Sequence, residues 1–293
     1  MILKKLGLGT VQFGLKYGVS NPTEQKTPAN EVSKILEIAA ENQIQVLDTA
    51  HDYGESESVL GTTLPQNHPF KIITKISKLS GGFKKIPQTF LESLTRLKQP
   101  FVEGLLVHHA KDLIGEKSKQ VYEALLLLKE KKLVKKIGVS VYEASEIESI
   151  LDQYPIDLIQ VPLNIFDQRL LKSGHLDEFK KRDIEVHVRS MFLQGLLLVE
   201  VESLPACFNS RKANFKKFHM FLAEQGISPL QACLQFVLQL PQVDIALCGV
   251  NDSKQLLEIC KVAENPKLRP ENFLELAIDD PMVLNPSNWK FEV

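Results

Sequence analysis

Eight times along this chain a short run of large apolar and β-branched residues gives way to a longer stretch with apolar residues at helical spacing. The short runs are LGLGT (6–10), IQVLDTA (44–50), KIITKIS (71–77), EGLLVHH (103–109), KKIGVSV (135–141), LIQVPL (158–163), IEVHVRS (184–190) and DIALCGV (244–250). The helical patterns cover 28–42, 56–63, 87–97, 118–132, 143–153, 167–182, 215–225 with 228–240, and 253–263. Ser228 before Pro229 is a helix start signal, an N-cap followed by a first-turn proline. Repeating strand–helix order argues for a parallel sheet, and eight repeats in 293 residues predict a closed (β/α)8 TIM barrel of the α/β class. An open doubly wound sheet is the competing arrangement. It needs a glycine-rich phosphate turn opening a helix after the first strand, and LGLGTVQFG offers no helical pattern there. No stretch reads as a linker, so one domain over 1–293 is expected.

Composition narrows the function classes. Hydrophobic residues at 44% and charged residues at 24% are a globular balance that argues against disorder. With 35 Lys+Arg against 36 Asp+Glu, the net charge of −1 supports neither a nucleic-acid nor a membrane partner. The local basic run RKANFKK (211–217) has helical spacing and reads as a solvated helix face. Four cysteines at 207, 233, 248 and 260 lack metal or disulfide spacing, so reduced thiols and a cytoplasmic location are expected, with no metal site. MILKKLGLGT has no signal-peptide core, and no apolar run reaches the roughly 18 residues of a membrane span. LLLL (125–128) runs into KEKK and reads as one buried helix face.

A barrel enzyme carries its chemistry at the C-terminal ends of its strands. In order, those ends offer Gly9-Thr10-Val11-Gln12; Asp48, with Tyr53 and Gly54 just beyond; Lys75; His108-His109; Ser140; Gln160; Arg189-Ser190; and Gly249-Val250-Asn251. Each has an ordinary structural reading. A lysine at a strand end usually snorkels to solvent, Ser140 can cap a helix, and one histidine alone is more often structural. Consecutive on a strand, His108 and His109 should point to opposite faces and form no metal pair. The joint arrival of Asp48, Tyr53, Lys75 and a strand-four histidine is harder to assign to structure alone.

LDTAHDYGESESVLG resembles the aldo/keto reductase signature, and the likeness extends over nearly the whole chain through LGLGTVQ, ITK, LLVHH, IGVS, IQVPLN and IALCGVNDSKQLLE. The resemblance implies reversible hydride transfer between a nicotinamide cofactor and a small carbonyl substrate. Tyr53 would be the general acid, Lys75 would lower its pKa, Asp48 would hold Lys75, and His108 would polarise the carbonyl. It further implies that Gly9, Thr10, Val11 and Asp48 contact the cofactor, and that Ser140 and Gln160 bind the nicotinamide carboxamide. Ser190, Met191, Phe192 and Gly195 would lie along the pyrophosphate. Gly249, Val250, Asn251, Lys254, Gln255 and Glu258 would receive the adenosine end, where a helix N-terminus favours phosphate.

The chain departs from the family pattern in three places. Val141 stands where many members have Asn, and Arg189 stands where a Tyr commonly stacks on the nicotinamide. The loop GVNDSKQLLE carries one cation, Lys254, beside Asp252, although charge-assisted bonds to a 2′-phosphate need cations. Family habit favours NADP(H); this loop leaves NAD(H) possible. Substrate choice would lie in HHAKDLIGEK, VESLPACFNSRK and the tail LNPSNWKFEV, where Trp289 and Phe291 either line the pocket or pack on the barrel wall. The alternative function is a nicotinamide-nucleotide-binding sensor barrel with little turnover. No protein partner is evident.

Overall fold

A computed structural model describes residues 2–19, 25–79, 82–264 and 266–289, leaving Phe291 outside the described residues. The strands are β1 (Leu6–Gly9), β2 (Val46–Asp48), β3 (Lys71–Ile76), β4 (Val102–Val107), β5 (Val134–Ser140), β6 (Leu158–Pro162), β7 (Glu185–Arg189) and β8 (Ile245–Gly249). They pair in parallel, each with the next, and β8 closes on β1 through Leu6↔Ala246 and Gly9↔Gly249. This is the closed (β/α)8 barrel that the alternation predicts.

The helices are α1 (Val11–Gly14), α2 (Ala29–Glu41), α3 (Ser56–Thr63), α4 (Ile86–Leu97), α5 (Ser118–Glu130), α6 (Ala144–Leu151), α7 (Arg169–Lys172), α8 (His175–Lys181), α9 (Lys212–Gln225), α10 (Pro229–Leu238), α11 (Ser253–Ala263) and α12 (Pro281–Leu284). α10 starts as expected, with Ser228 and Gln231 forming a reciprocal capping box ahead of Pro229. The single pattern over 167–182 is divided into α7 and α8 at Gly174, whose φ of 80° lies in the left-handed region. One helical turn, α1, does follow β1 directly, against the sequence reading; at four residues it is too short to show a period. Of LLLL in α5, Leu125 and Leu128 are buried while Leu127 is 43% exposed, because consecutive residues cannot share one helix face.

Two cores result. The larger joins the outward strand faces to the helices. The smaller contains Val46, Ile73, Leu106, Leu158 and Leu247, with Ile245 packed on it, and fills the barrel interior. Strand alternation then fixes what stands above this plug. Two residues on, the same faces carry Asp48, Lys75, Gln160 and Gly249, all at the mouth. Trp289 packs edge-on against Phe208 at 5.3 Å, and its indole N–H donates to the Val283 carbonyl, which favours the wall over the pocket. The four cysteines are free thiols. No helix among the described residues is long and apolar enough to cross a membrane.

Candidate active site

Asp48 and Lys75 project into the mouth from β2 and β3 and are almost fully buried. The Lys75 ammonium donates to Asp48 Oδ1 at 2.5 Å, to the Thr49 carbonyl at 2.9 Å and to Tyr53 Oη at 3.4 Å. Its three donors are thereby used, as a buried ammonium requires. The other Asp48 oxygen accepts from Gln160 Nε2 at 2.7 Å, which leaves Gln160 its carbonyl oxygen for a ligand.

The loop that brings Tyr53 back over this pair depends on two glycines. Gly54 has φ +57°, and a Cβ there would stand 2.7 Å from the Gly14 carbonyl. A Cβ on Gly14 would collide with the Tyr53 carbonyl. Beneath the loop, Ser56 Oγ lies 2.8 Å from Thr10 Oγ1 and 3.0 Å from Thr49 Oγ1, and it donates to the Thr10 carbonyl. Thr10 therefore ties the end of β1 to the Tyr53 loop.

The electrostatics differ from the sequence expectation at one point. Burial, reinforced by the Asp48 carboxylate, pushes the Tyr53 phenol above its ordinary range, where Lys75 is expected to lower it. The ammonium lies in contact with a carboxylate, so the phenol meets a nearly neutral pair. Burial also pulls Lys75 below its usual value, with Asp48 opposing that shift. His108 lies with its ring edge-on to Tyr53, centroids 5.7 Å apart. Burial first, then the Lys75 charge, brings its pKa down to about 3, so it is a neutral imidazole at ordinary pH.

β4 ends at Val107, before the two histidines, so strand alternation does not separate them as the sequence implies. Their rings lie 5.0 Å apart and both line the same cavity. The donor atoms of Asp52, His108 and His109 all lie within 4.8 Å of one another.

The cavity at this mouth has a volume of about 840 Å³. Its floor is Asp48, Tyr53 and His108; Gly9, Thr10 and Val11 from β1 and α1, with Ser140 and Gln160, form one side. The segment after β7 contributes Arg189, Ser190, Met191, Phe192 and Gly195, and the far end is Gly249, Asn251, Gln255 and Glu258. Three of the expected residues are not on this wall. Lys75 lies buried behind Asp48 and Tyr53, Val250 is packed into the core, and Lys254 points to solvent.

Arg189 is held in place. Its guanidinium carbon stands 3.8 Å over the Tyr142 ring, and its Nη2 donates to the Val141 carbonyl at 3.0 Å. Val141 itself is fully buried, so the departure from Asn removes a side chain from a position that faces the core. Between Ser190 and Gly195 the backbone enters positive φ at Ser190, Leu193, Gln194 and Gly195. Such conformations cost roughly 1–3 kcal/mol for each non-glycine residue and concentrate where a loop is shaped around a ligand. Gln194, from the expected segment 190–195, and Pro286, from the tail LNPSNWKFEV, also line the wall, together with Tyr17, Tyr142 and Leu230, which the sequence does not single out. Tyr142 directly follows an expected strand end, which is a local signal; Leu230 arrives from a distant segment with none.

The cavity suits an elongated nucleotide. Its size lies in the range of small-molecule and cofactor sites, on the order of 300–1,000 Å³. Two buried oxygen acceptors on its wall, Gln12 Oε1 and Asn251 Oδ1, have no hydrogen-bond partner among the described residues and would take hydroxyl or amide donors.

Barrel and mouth together define a barrel enzyme with its titratable groups at the C-terminal ends of the strands. The aldo/keto reductase family model matches residues 5–278, and the chain belongs to that family of NAD(P)H-dependent oxidoreductases. It is 24% identical to the uncharacterized oxidoreductase YqkF of Bacillus subtilis (strain 168), over 94% of this chain and 92% of that one. It is 22% identical to the aldo-keto reductase YhdN of the same organism, over 95% of this chain and 92% of that one. Among solved structures, the holo form of the aldo-keto reductase AKR11C1 from Bacillus halodurans superposes with a TM-score of 0.77 at 21% identity, covering 94% of this chain and 92% of that one.

Proposed function

We propose that this chain, as a single barrel domain of the cytoplasm, reduces a small aldehyde or ketone to the alcohol, with Tyr53 as general acid. The observation that carries the reading is the buried Lys75 ammonium, shared between Asp48 at 2.5 Å and the Tyr53 hydroxyl at 3.4 Å, beneath a cavity that His108 also lines. A bound NAD(P)H would supply the hydride. Hydride addition builds negative charge on the carbonyl oxygen, and the chain's task is to neutralise that charge. Tyr53 gives up its hydroxyl proton to that oxygen, and the phenolate left behind faces the Lys75 ammonium. Asp48 keeps the ammonium aimed. His108, neutral at working pH, donates a hydrogen bond that polarises the carbonyl and fixes its angle.

Ser140, Gln160, Arg189 and the segment 190–195 would hold the nicotinamide and pyrophosphate, and the wall from Gly249 to Glu258 the adenosine end. Family habit favours NADP(H), with NAD(H) as the other possibility. The test is oxidation of NADH and NADPH with a reactive aromatic aldehyde, wild type beside Tyr53→Phe. The variant should bind cofactor normally and lose turnover by at least about a hundredfold, the usual worth of a positioned general acid. Turnover that survives in Tyr53→Phe would remove the tyrosine from the mechanism. Tight binding without turnover in the wild type would point to the sensor function.

A further inference from the structure

If a dinucleotide lies in the cavity with its reacting ring at Tyr53, its other end must reach the opposite wall, at the start of α11. A helix N-terminus presents free N–H groups and the positive end of the dipole, and would ordinarily welcome a phosphate there. Here much of that welcome is already taken up. Glu31, from α2, accepts from the Ser253 backbone N–H at 2.8 Å and from the Ser253 hydroxyl at 2.5 Å through one oxygen, Oε1. Asp252, the N-cap, accepts from the Gln255 N–H at 2.9 Å. The two carboxylates thus use the Ser253 and Gln255 amides of the first turn.

The remaining charges point the same way. Glu258 adds a third carboxylate on the cavity wall itself. Lys34 lies 3.2 Å from the second Glu31 oxygen, so its charge is directed to Glu31. Lys254 is exposed and off the wall. Meanwhile Asn251 Oδ1, buried on that wall, is an acceptor with no donor among the described residues. A ribose hydroxyl is a donor; a phosphate oxygen is not. A carboxylate beside a ribose accepts from its 2′-hydroxyl, whereas a 2′-phosphate calls for a cation in that place.

We infer that Glu31, reaching from α2 to the start of α11, makes this chain select NAD(H) over NADP(H). The inference rests on the reductase reading for the orientation of the cofactor. A 2′-phosphate would have to displace a carboxylate from the helix end and remain beside two others. The ribose hydroxyls of NAD(H) instead bring donors to these acceptors.

The experiment is a fluorescence titration of the purified protein with NADH and with NADPH at low ionic strength, without substrate, for wild type, Glu31→Gln and Glu31→Ala. Wild type should bind NADH at least about tenfold more tightly than NADPH, the effect of one unfavourable charge contact. Glu31→Gln keeps an oxygen for the Ser253 N–H while removing the charge, so it separates charge from any loss of packing; thermal melts check that both variants fold. Both variants should bring the two affinities to within about threefold, mainly by tightening NADPH. Equal or tighter NADPH binding by wild type, or an unchanged ratio in folded variants, would overturn the inference and leave the reductase reading standing. Failure of wild type to bind either nucleotide would remove both.

Discussion

At Tyr53, burial and the Asp48 carboxylate behind Lys75 meet the Arg189 charge across the cavity, with smaller upward contributions from Tyr142 and Asp52. The first two raise its pKa and outweigh the third, so the phenol keeps its proton through the neutral range. The sign has a kinetic consequence. Carbonyl reduction needs the protonated phenol, and a raised pKa extends that form to higher pH. The pH profile of kcat/KM for reduction should therefore show no loss assignable to Tyr53 below about pH 10, the ordinary tyrosine value. Alcohol oxidation needs the phenolate, so its rate should climb with pH without levelling off below that point. A reduction rate that falls with a midpoint near pH 8, and loses that midpoint in Tyr53→Phe, would show that Lys75 lowers the phenol's pKa after all. The residue types at this site are legible in the chain because acid, lysine and phenol at strand ends are unusual together. Their titration is not, since it depends on how completely a neighbouring ion pair cancels itself.

At the scale of elements, the joint between α1 and the loop after β2 decides where the phenol goes. Gly14 and Gly54 meet backbone to backbone, and Gly54 also needs its left-handed φ. Gly54→Ala should cost about 1–2 kcal/mol from backbone conformation alone, with more from the contact at Gly14. Its larger effect should fall on turnover, because the loop must shift to admit a methyl group and Tyr53 moves with it. Nicotinamide-nucleotide affinity, measured by titration, should change less than kcat. Equal losses in both would mean the loop serves binding and not proton transfer. The glycine beside Tyr53 is visible in the chain; its partner Gly14, forty residues earlier, is not. The segment 190–195 is similar. Its order of residues is readable, but four positive φ angles in six residues follow from contacts such as the Val19 N–H on the Gln194 carbonyl at 2.9 Å and Asn164 Nδ2 on the Ser190 carbonyl at 3.1 Å.

At the scale of the whole molecule, the small apolar plug inside the barrel supports the polar groups above it. Leu106 is fully buried there, and Leu106→Ala should lower unfolding free energy by about 2–5 kcal/mol, as cavity-forming substitutions do. Leu127→Ala, on an exposed helix face, should stay within about 0.5 kcal/mol. Urea denaturation of both variants checks the contrast, and a small effect at Leu106 would mean the interior collapses to fill the gap. If the barrel is one domain, each curve should show a single transition.

Local periodicity determined the strand and helix order, and the regular alternation of the two was enough to predict a closed parallel barrel. Residue chemistry at the strand ends pointed to Asp48, Tyr53, Lys75 and a histidine after strand four as the groups to watch, because strand direction places them at one mouth, and the family resemblance chose His108. Tertiary structure decided what each group does to its neighbour. It cancelled Lys75 against Asp48, brought His108 and His109 to one cavity once β4 had ended, laid Arg189 on Tyr142, and carried Glu31 from α2 to the start of α11, 222 positions from Ser253. These are through-space effects between segments far apart in sequence, governed by distance and desolvation. Pattern and spacing along the chain do not encode either quantity.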